Sequence, residues 1–135
     1  MGAAWVIVGR FPVGELLHFA MVGDHAEYRP TGQVSLEDGV RLVKEALTCA
    51  RAQGVRRLLV DLTGLTGVAP PALGERYFFI REWGVAAGGM VALALVARPE
   101  LLDRERFGDT VATNVGMRGR AFASEAEALA WLAGQ

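Results

Sequence analysis

Cysteine, serine and histidine are scarce in this chain, and each scarcity removes a kind of chemistry. A single cysteine among 135 residues, Cys49, excludes an intrachain disulfide and any multi-cysteine zinc site. Cys49 lies on a helical pattern among apolar neighbours, where a free thiol is expected to be buried. Serine occurs only at Ser35 and Ser124, both at places where a helix would begin. Neither stands in G-x-S-x-G, so a serine nucleophile with its base has no seat. The two histidines, His18 and His25, are seven positions apart in strand-like sequence. On one unbroken strand they would face opposite sides, which argues against a metal pair. Excess charge is missing too. A net charge of −1 gives no pull toward nucleic acid or anionic headgroups.

Long apolar runs are also lacking. The longest, Val85–Ala97, is too short to cross a bilayer and is interrupted by Gly88-Gly89. Met1–Gly9 has neither the basic start nor the apolar stretch of a signal peptide. The chain therefore reads as soluble and cytoplasmic. A phosphate loop is not found either. Gly9 and Gly14 have a suitable separation, but Glu15-Leu16 stands where Lys and Ser or Thr are needed.

Apolar residues make up 52% of the chain and charged residues 21%, the balance of a globular domain with a proper core. No repeat or linker divides it, so residues 1–135 are expected to form one domain. Strand-like sequence at Trp5–Val8, Leu16–Val22 and His25–Tyr28 is separated by turn signals at Pro12-Val13-Gly14 and Gly23-Asp24. Ser35 then caps a first helix, whose stripe of Leu36, Val40, Val43, Leu47 and Ala50 keeps three- and four-residue spacing. Gly54 is its stop. Val55–Leu62 is a nearly continuous apolar run, as expected for a strand covered on both faces.

Beyond it, Pro71 is expected in the first turn of a second helix running to about Ala86, with Tyr77, Phe78, Phe79 and Trp83 as an aromatic face. Met90–Ala97 is the next buried strand. Pro99 is expected to start a third helix, with Leu102, Phe107 and Val111 inward and Gly116 at its end. Met117–Phe122 is a short strand. Ser124-Glu125-Ala126-Glu127 is a capping box that opens a last helix. The alternation predicts an α/β fold, a sheet of about five strands flanked by about four helices.

The most informative stretch is LLVDLTGLTGVAPPALG, residues 58–74. It places a polar loop at the carboxyl end of a buried strand, where open α/β sheets usually carry their binding surface. Asp61, Thr63 and Thr66 are candidates for a partner or ligand surface there. Asp61 also has a structural reading, because an aspartate at such a place bonds loop N–H groups and shapes the turn. The carboxylate pairs Glu37/Asp38 and Glu125/Glu127 complement helix dipoles, and the cluster Arg51, Arg56, Arg57 reads as a solvated face. The aromatic helix supports packing or dimerisation. It also suits the wall of an apolar ligand pocket with Arg76 or Arg81 as polar handle.

Three segments, GQVSLEDGVRLVKEAL, VRRLLVDLTGLTGVAPPALGERY and VALALVARPELLDRERFGDTVATNVGMRGRAFASEAEALAWL, together resemble the bacterial SpoIIAA-like (STAS-like) domains over residues 16–133. The tail, with Phe107-Gly108, Asn114-Val115-Gly116, Phe122 and Glu127-Ala128-Leu129-Ala130-Trp131-Leu132, is the more diagnostic part. The resemblance implies a SpoIIAA-like or CRAL-TRIO-like mixed sheet, no cofactor and no established catalytic residue. Anti-sigma-factor antagonists of the STAS fold carry an Asp-Ser-Ser-Gly phosphorylation motif. Here those places read Ala69-Pro70-Pro71-Ala72, so Pro71 stands at the phosphoacceptor position without a hydroxyl.

Three functions follow as expectations. One is a non-enzymatic interaction or regulatory module, contacting a protein partner or a second copy of itself as a homodimer. Its surface would be Asp61, Thr63, Thr66, Pro70, Pro71, Arg76 and Tyr77. A second is a carrier or sensor of a lipid or other apolar ligand, held between helix two and the sheet. An enzyme seeded by Asp61 with Thr63 or Thr66 lacks a nameable base or electrophile.

Overall fold

The computed structural model describes residues 3–5, 19–102 and 112–135. The chain is an α/β protein built on a mixed sheet. In sequence order the elements are β1 (Ala3–Trp5), β2 (Phe19–Val22), β3 (His25–Tyr28), β4 (Gly32–Gln33), α1 (Leu36–Ala52), β5 (Arg57–Asp61), β6 (Leu65–Thr66), α2 (Leu73–Ala87), β7 (Ala92–Val96), a 3₁₀ turn (Pro99–Leu101), β8 (Gly119–Phe122) and α3 (Glu125–Ala133). Residues 112–114 are also helical and supply the fourth helical segment among the described residues. The main sheet runs β1-β2-β3-β5-β7-β8. Its first three strands are antiparallel, and β3, β5, β7 and β8 are mutually parallel.

Chain chemistry accounts for this order. Gly23, at φ 65°, forms the two-residue turn between β2 and β3, and tight hairpin turns of this kind call for positive φ. Phe19 faces Tyr28 across that hairpin, both fully buried, with ring centroids 6.1 Å apart. Each later parallel pair is joined through a crossover that carries helix, as parallel strands require.

The period-two alternation of the central strands divides the interior. Leu58, Val60 and Leu93 join Leu42, Val43, Ala46 and Leu47 of α1 and Ile80 and Trp83 of α2 in one core. Leu59, Ala92, Ala94 and Val96 point the other way, onto Ala128 and Leu132 of α3. The near-continuous apolar runs read from the sequence are therefore strands covered on both faces. Cys49 is fully buried within the first core.

Both predicted serine caps are present. Ser35 Oγ accepts from Asp38 N–H at 3.1 Å and Ser124 Oγ from Glu127 N–H at 3.3 Å.

Two helices and one strand pair differ from expectation. Helix α2 starts at Leu73, two residues after Pro71, with extended Ala72 as its N-cap. The cause is Glu75, whose Oε1 accepts the Ala72 N–H at 2.9 Å and fixes the start there. Alanine has no oxygen to return the bond, so only half a capping box forms. The helix expected from Pro99 is at first a single 3₁₀ turn, ended by extended Leu102. Phe107 and Val111, its other expected inner positions, lie outside the described residues, as do 6–8 and 16–18 of the N-terminal strands and His18. Finally, a small parallel pair, β4 with β6, forms where the sequence reads as turn and loop.

Candidate functional site

The loop after β5 sits at the carboxyl edge of the sheet, and Asp61 organises it. Asp61 Oδ1 accepts from the Thr63 N–H at 2.9 Å and from Thr63 Oγ1 at 2.6 Å, an Asx turn. Its Oδ2 accepts from Arg29 Nη1 at 2.9 Å. The Leu62 N–H bonds Val96 O at 2.8 Å, and Arg98 Nη2 donates to Thr63 O at 3.2 Å, which pins the loop to β7 and the segment after it. Both oxygens of Asp61 are thus engaged in shaping the turn and holding a neighbouring cation.

Arg29 is the centre of this edge. It bonds Asp61, Glu125 Oε1 at 2.5 Å and Glu27 Oε1 at 2.7 Å, so one guanidinium joins the ends of β3, β5 and α3. Glu27 in turn meets His25 Nε2 at 2.8 Å. Burial pushes the Glu27 carboxyl up, but hydrogen bonds from His25 and Arg29 and their charge outweigh it and hold the carboxyl below its ordinary value. Arg29 moves further up from its already high value. The Glu125 hydrogen bond is the largest cause, partial burial opposes it, and Glu27 adds to the rise.

The loop continues over β6. Thr66 is exposed, and its hydroxyl lies 3.5 Å from Gly32 O. Gly64 packs so closely that an added Cβ would lie 3.0 Å from Pro30 O. Pro70 is exposed and Pro71 is half-buried at the rim of a cavity.

That cavity, of about 110 Å³, lies between α1, α2 and the sheet. Phe79, Ile80 and Trp83 of α2 form one wall, and Leu93 and Leu95 of β7 face them. Phe79 and Trp83 pack ring to ring at 4.7 Å, and Trp83 Nε1 donates to Val40 O at 3.0 Å, which fixes the indole between the two helices. Two guanidinium groups, Arg76 and Arg120, line an otherwise apolar space.

Helix α2 exposes apolar side chains as well, beside the charges of Arg81 and Glu82. Leu73, Tyr77, Phe78 and Val85 are exposed, Phe78 at 67% and Val85 at 72%. Leu73 and Tyr77 are four residues apart and Phe78 and Val85 seven, so each pair shares a side of the helix. Tyr77 and Phe78 meet edge to face at 5.7 Å.

The seven residues singled out from the sequence therefore fall on four surfaces. Asp61 and Thr63 belong to the Arg29 edge, and Thr66 to the small β4–β6 pair. Pro71 and Arg76 line the cavity, with Pro70 exposed beside it. Tyr77 lies on the outer face of α2. Sequence reasoning missed Arg29 and Glu27 and took Glu125 for a dipole partner alone. Arg29 is 32 positions from Asp61 and 96 from Glu125, so no local spacing signals their meeting.

No family model matches this chain, and no curated protein matches it. Among solved structures, the NMR structure of the protein TM1081 aligns over the whole of both chains with a TM-score of 0.51 at 15% identity. That likeness establishes the class, an α/β protein with a mixed sheet flanked by helices.

Proposed function

We propose that this chain is a non-enzymatic, STAS-like interaction and regulatory module of the cytoplasm. It binds a protein partner, or a second copy of itself as a homodimer, through the outer face of α2 and the loop before it. The observation that carries this reading is the cluster of Leu73, Tyr77, Phe78 and Val85 left exposed on one helix. Apolar side chains grouped in this way on a small domain mark a contact surface. Two further facts agree with it. Asp61 is committed to Arg29 and Thr63. Pro71, at the STAS phosphoacceptor place, has no hydroxyl. Recognition would then follow from association alone, without phosphorylation at that position. No helix of the described residues is long and apolar enough to cross a membrane.

Phe78→Glu tests this reading, because it adds charge within the exposed face without touching either core. Light scattering after size exclusion, with chemical cross-linking, should show a wild-type dimer or partner complex that the variant loses. A wild-type monomer whose cross-links are the same in Phe78→Glu would refute it.

One observation favours a second reading, a carrier or sensor of an apolar ligand. The cavity between α2 and the sheet is lined by Phe79, Ile80, Trp83, Leu93 and Leu95. Native mass spectrometry of protein purified without detergent tests it. A bound mass released on denaturation supports a carrier, and a mass equal to the bare chain under ligand-saturating conditions opposes it.

A further inference from the structure

The cavity has a shape and a charge, and together they specify a ligand class more narrowly than "apolar". This inference rests on the second reading above. Its volume of about 110 Å³ is below the roughly 150 Å³ of an engineered cavity that takes up benzene. A long acyl chain does not fit within such a space, but a tail of a few carbons does.

Arg76 supplies the polar end. Its side chain is half-buried on the first turn of α2 and lines the cavity. Its contacts among the described residues are two long approaches to one carbonyl, Leu101 O, at 3.4 and 3.5 Å. It meets no carboxylate there. A guanidinium carries five N–H donors in a planar fork that matches a carboxylate bidentately, so most of its capacity is open. The α2 backbone works in the same direction, since the helix N-terminus beside Arg76 carries partial positive charge.

From this pairing of a small apolar chamber with a guanidinium that meets no carboxylate among the described residues, we infer that the cavity binds a short-chain carboxylic acid. The carboxylate sits on Arg76 and the tail lies among Phe79, Ile80, Trp83, Leu93 and Leu95. The lipid or other apolar ligand considered from the sequence is narrowed on this reading to a small acid, because the volume of the cavity sets the length of tail held within it.

The test is calorimetric titration with butanoate, hexanoate and decanoate, and with 1-hexanol as the neutral counterpart of hexanoate. Two-dimensional NMR follows the Trp83 indole N–H, which lies in the cavity wall. Hexanoate should bind more tightly than butanoate, decanoate should gain nothing further, and hexanol should bind about tenfold more weakly or worse. Arg76→Gln should lose the preference for the acid over the alcohol. Arg81→Gln, an exposed charge of the same helix, should keep it. Circular dichroism on both variants verifies the fold.

Equal binding of hexanoate and hexanol, or an unchanged preference in Arg76→Gln, would overturn the carboxylate assignment while leaving an apolar ligand in place. Tightening that continues through decanoate would overturn the size limit. Failure of every acid and of hexanol to bind or to move the Trp83 signal would overturn the ligand reading itself.

Discussion

Arg29 donates from Nη1 to Asp61 Oδ2 at 2.9 Å, a bond that ties the end of β3 to the end of β5. The same Nη1 also reaches Glu125, the first residue of α3. One cation therefore holds three carboxylates from three elements at the edge where the loop begins. Without it, Glu27, Asp61 and Glu125 would face one another as like charges.

Replacing Arg29 by Ala should lower stability by about 1–2 kcal/mol. The lost bonds are charge-assisted, but the side chain is 37% exposed and solvent screens part of their value. Urea unfolding monitored by circular dichroism gives the difference, and an unchanged midpoint would contradict the role assigned to Arg29.

Glu27 should make the fold acid-sensitive. Its carboxyl lies below its ordinary value near 4.5 in the folded state. The stability it adds is therefore complete above that ordinary value and is lost as pH falls through the lower folded one. Glu27→Gln should be less stable than wild type at pH 7, and the gap should close as pH falls below about 4.5. Thermal melts across a pH series measure the gap, and a difference that stays constant through acid would count against this linkage.

Gly88 ends α2 in the left-handed region at φ 59°, with the Arg51 guanidinium stacked over it. A Cβ there would lie 2.5 Å from Arg51 Cζ. The arginine tip can move aside, so the backbone term decides the outcome. Gly88→Ala should cost about 1–2 kcal/mol, read as a lower midpoint in urea. Gly89→Ala also has positive φ but open space around it, and should cost no more.

Ser124→Ala should destabilise the protein by about 1 kcal/mol, since Ser124 Oγ satisfies the Glu127 N–H at the start of α3. Ser124→Asp should recover most of the loss. Hydrogen exchange would show the first turn of α3 loosening in the alanine variant, and a uniform slowing or no change would go against the cap.

Local chemistry made much of the fold legible. Ser35 and Ser124 announced two helices because a cap needs one side chain and one N–H three residues away. The runs around Leu58–Val60 and Leu93–Val96 announced buried strands because both faces are covered by helices. The start of α2 was read two residues too early. Pro70-Pro71 offered a plausible first turn, but the reach of Glu75 to Ala72 decided the boundary. The pair of β4 and β6 escaped notice because two-residue strands carry no period. The candidate site was legible only in part. Asp61 as a turn-former follows from its place before Thr63, but its cation came from 32 residues upstream.

What the sequence determined by itself was the α/β alternation, the helix caps and the buried central strands. All of these depend on residue type and on neighbours within a few positions. Tertiary structure alone decided that Arg29 gathers Glu27, Asp61 and Glu125, that Arg76 meets a small apolar cavity, and that Phe79 turns inward while Phe78 turns out. Those outcomes depend on how α1 and α2 cross the sheet and how the ends of β3 and β5 meet the start of α3. Such distances are set by packing across the whole chain, and no local pattern encodes them.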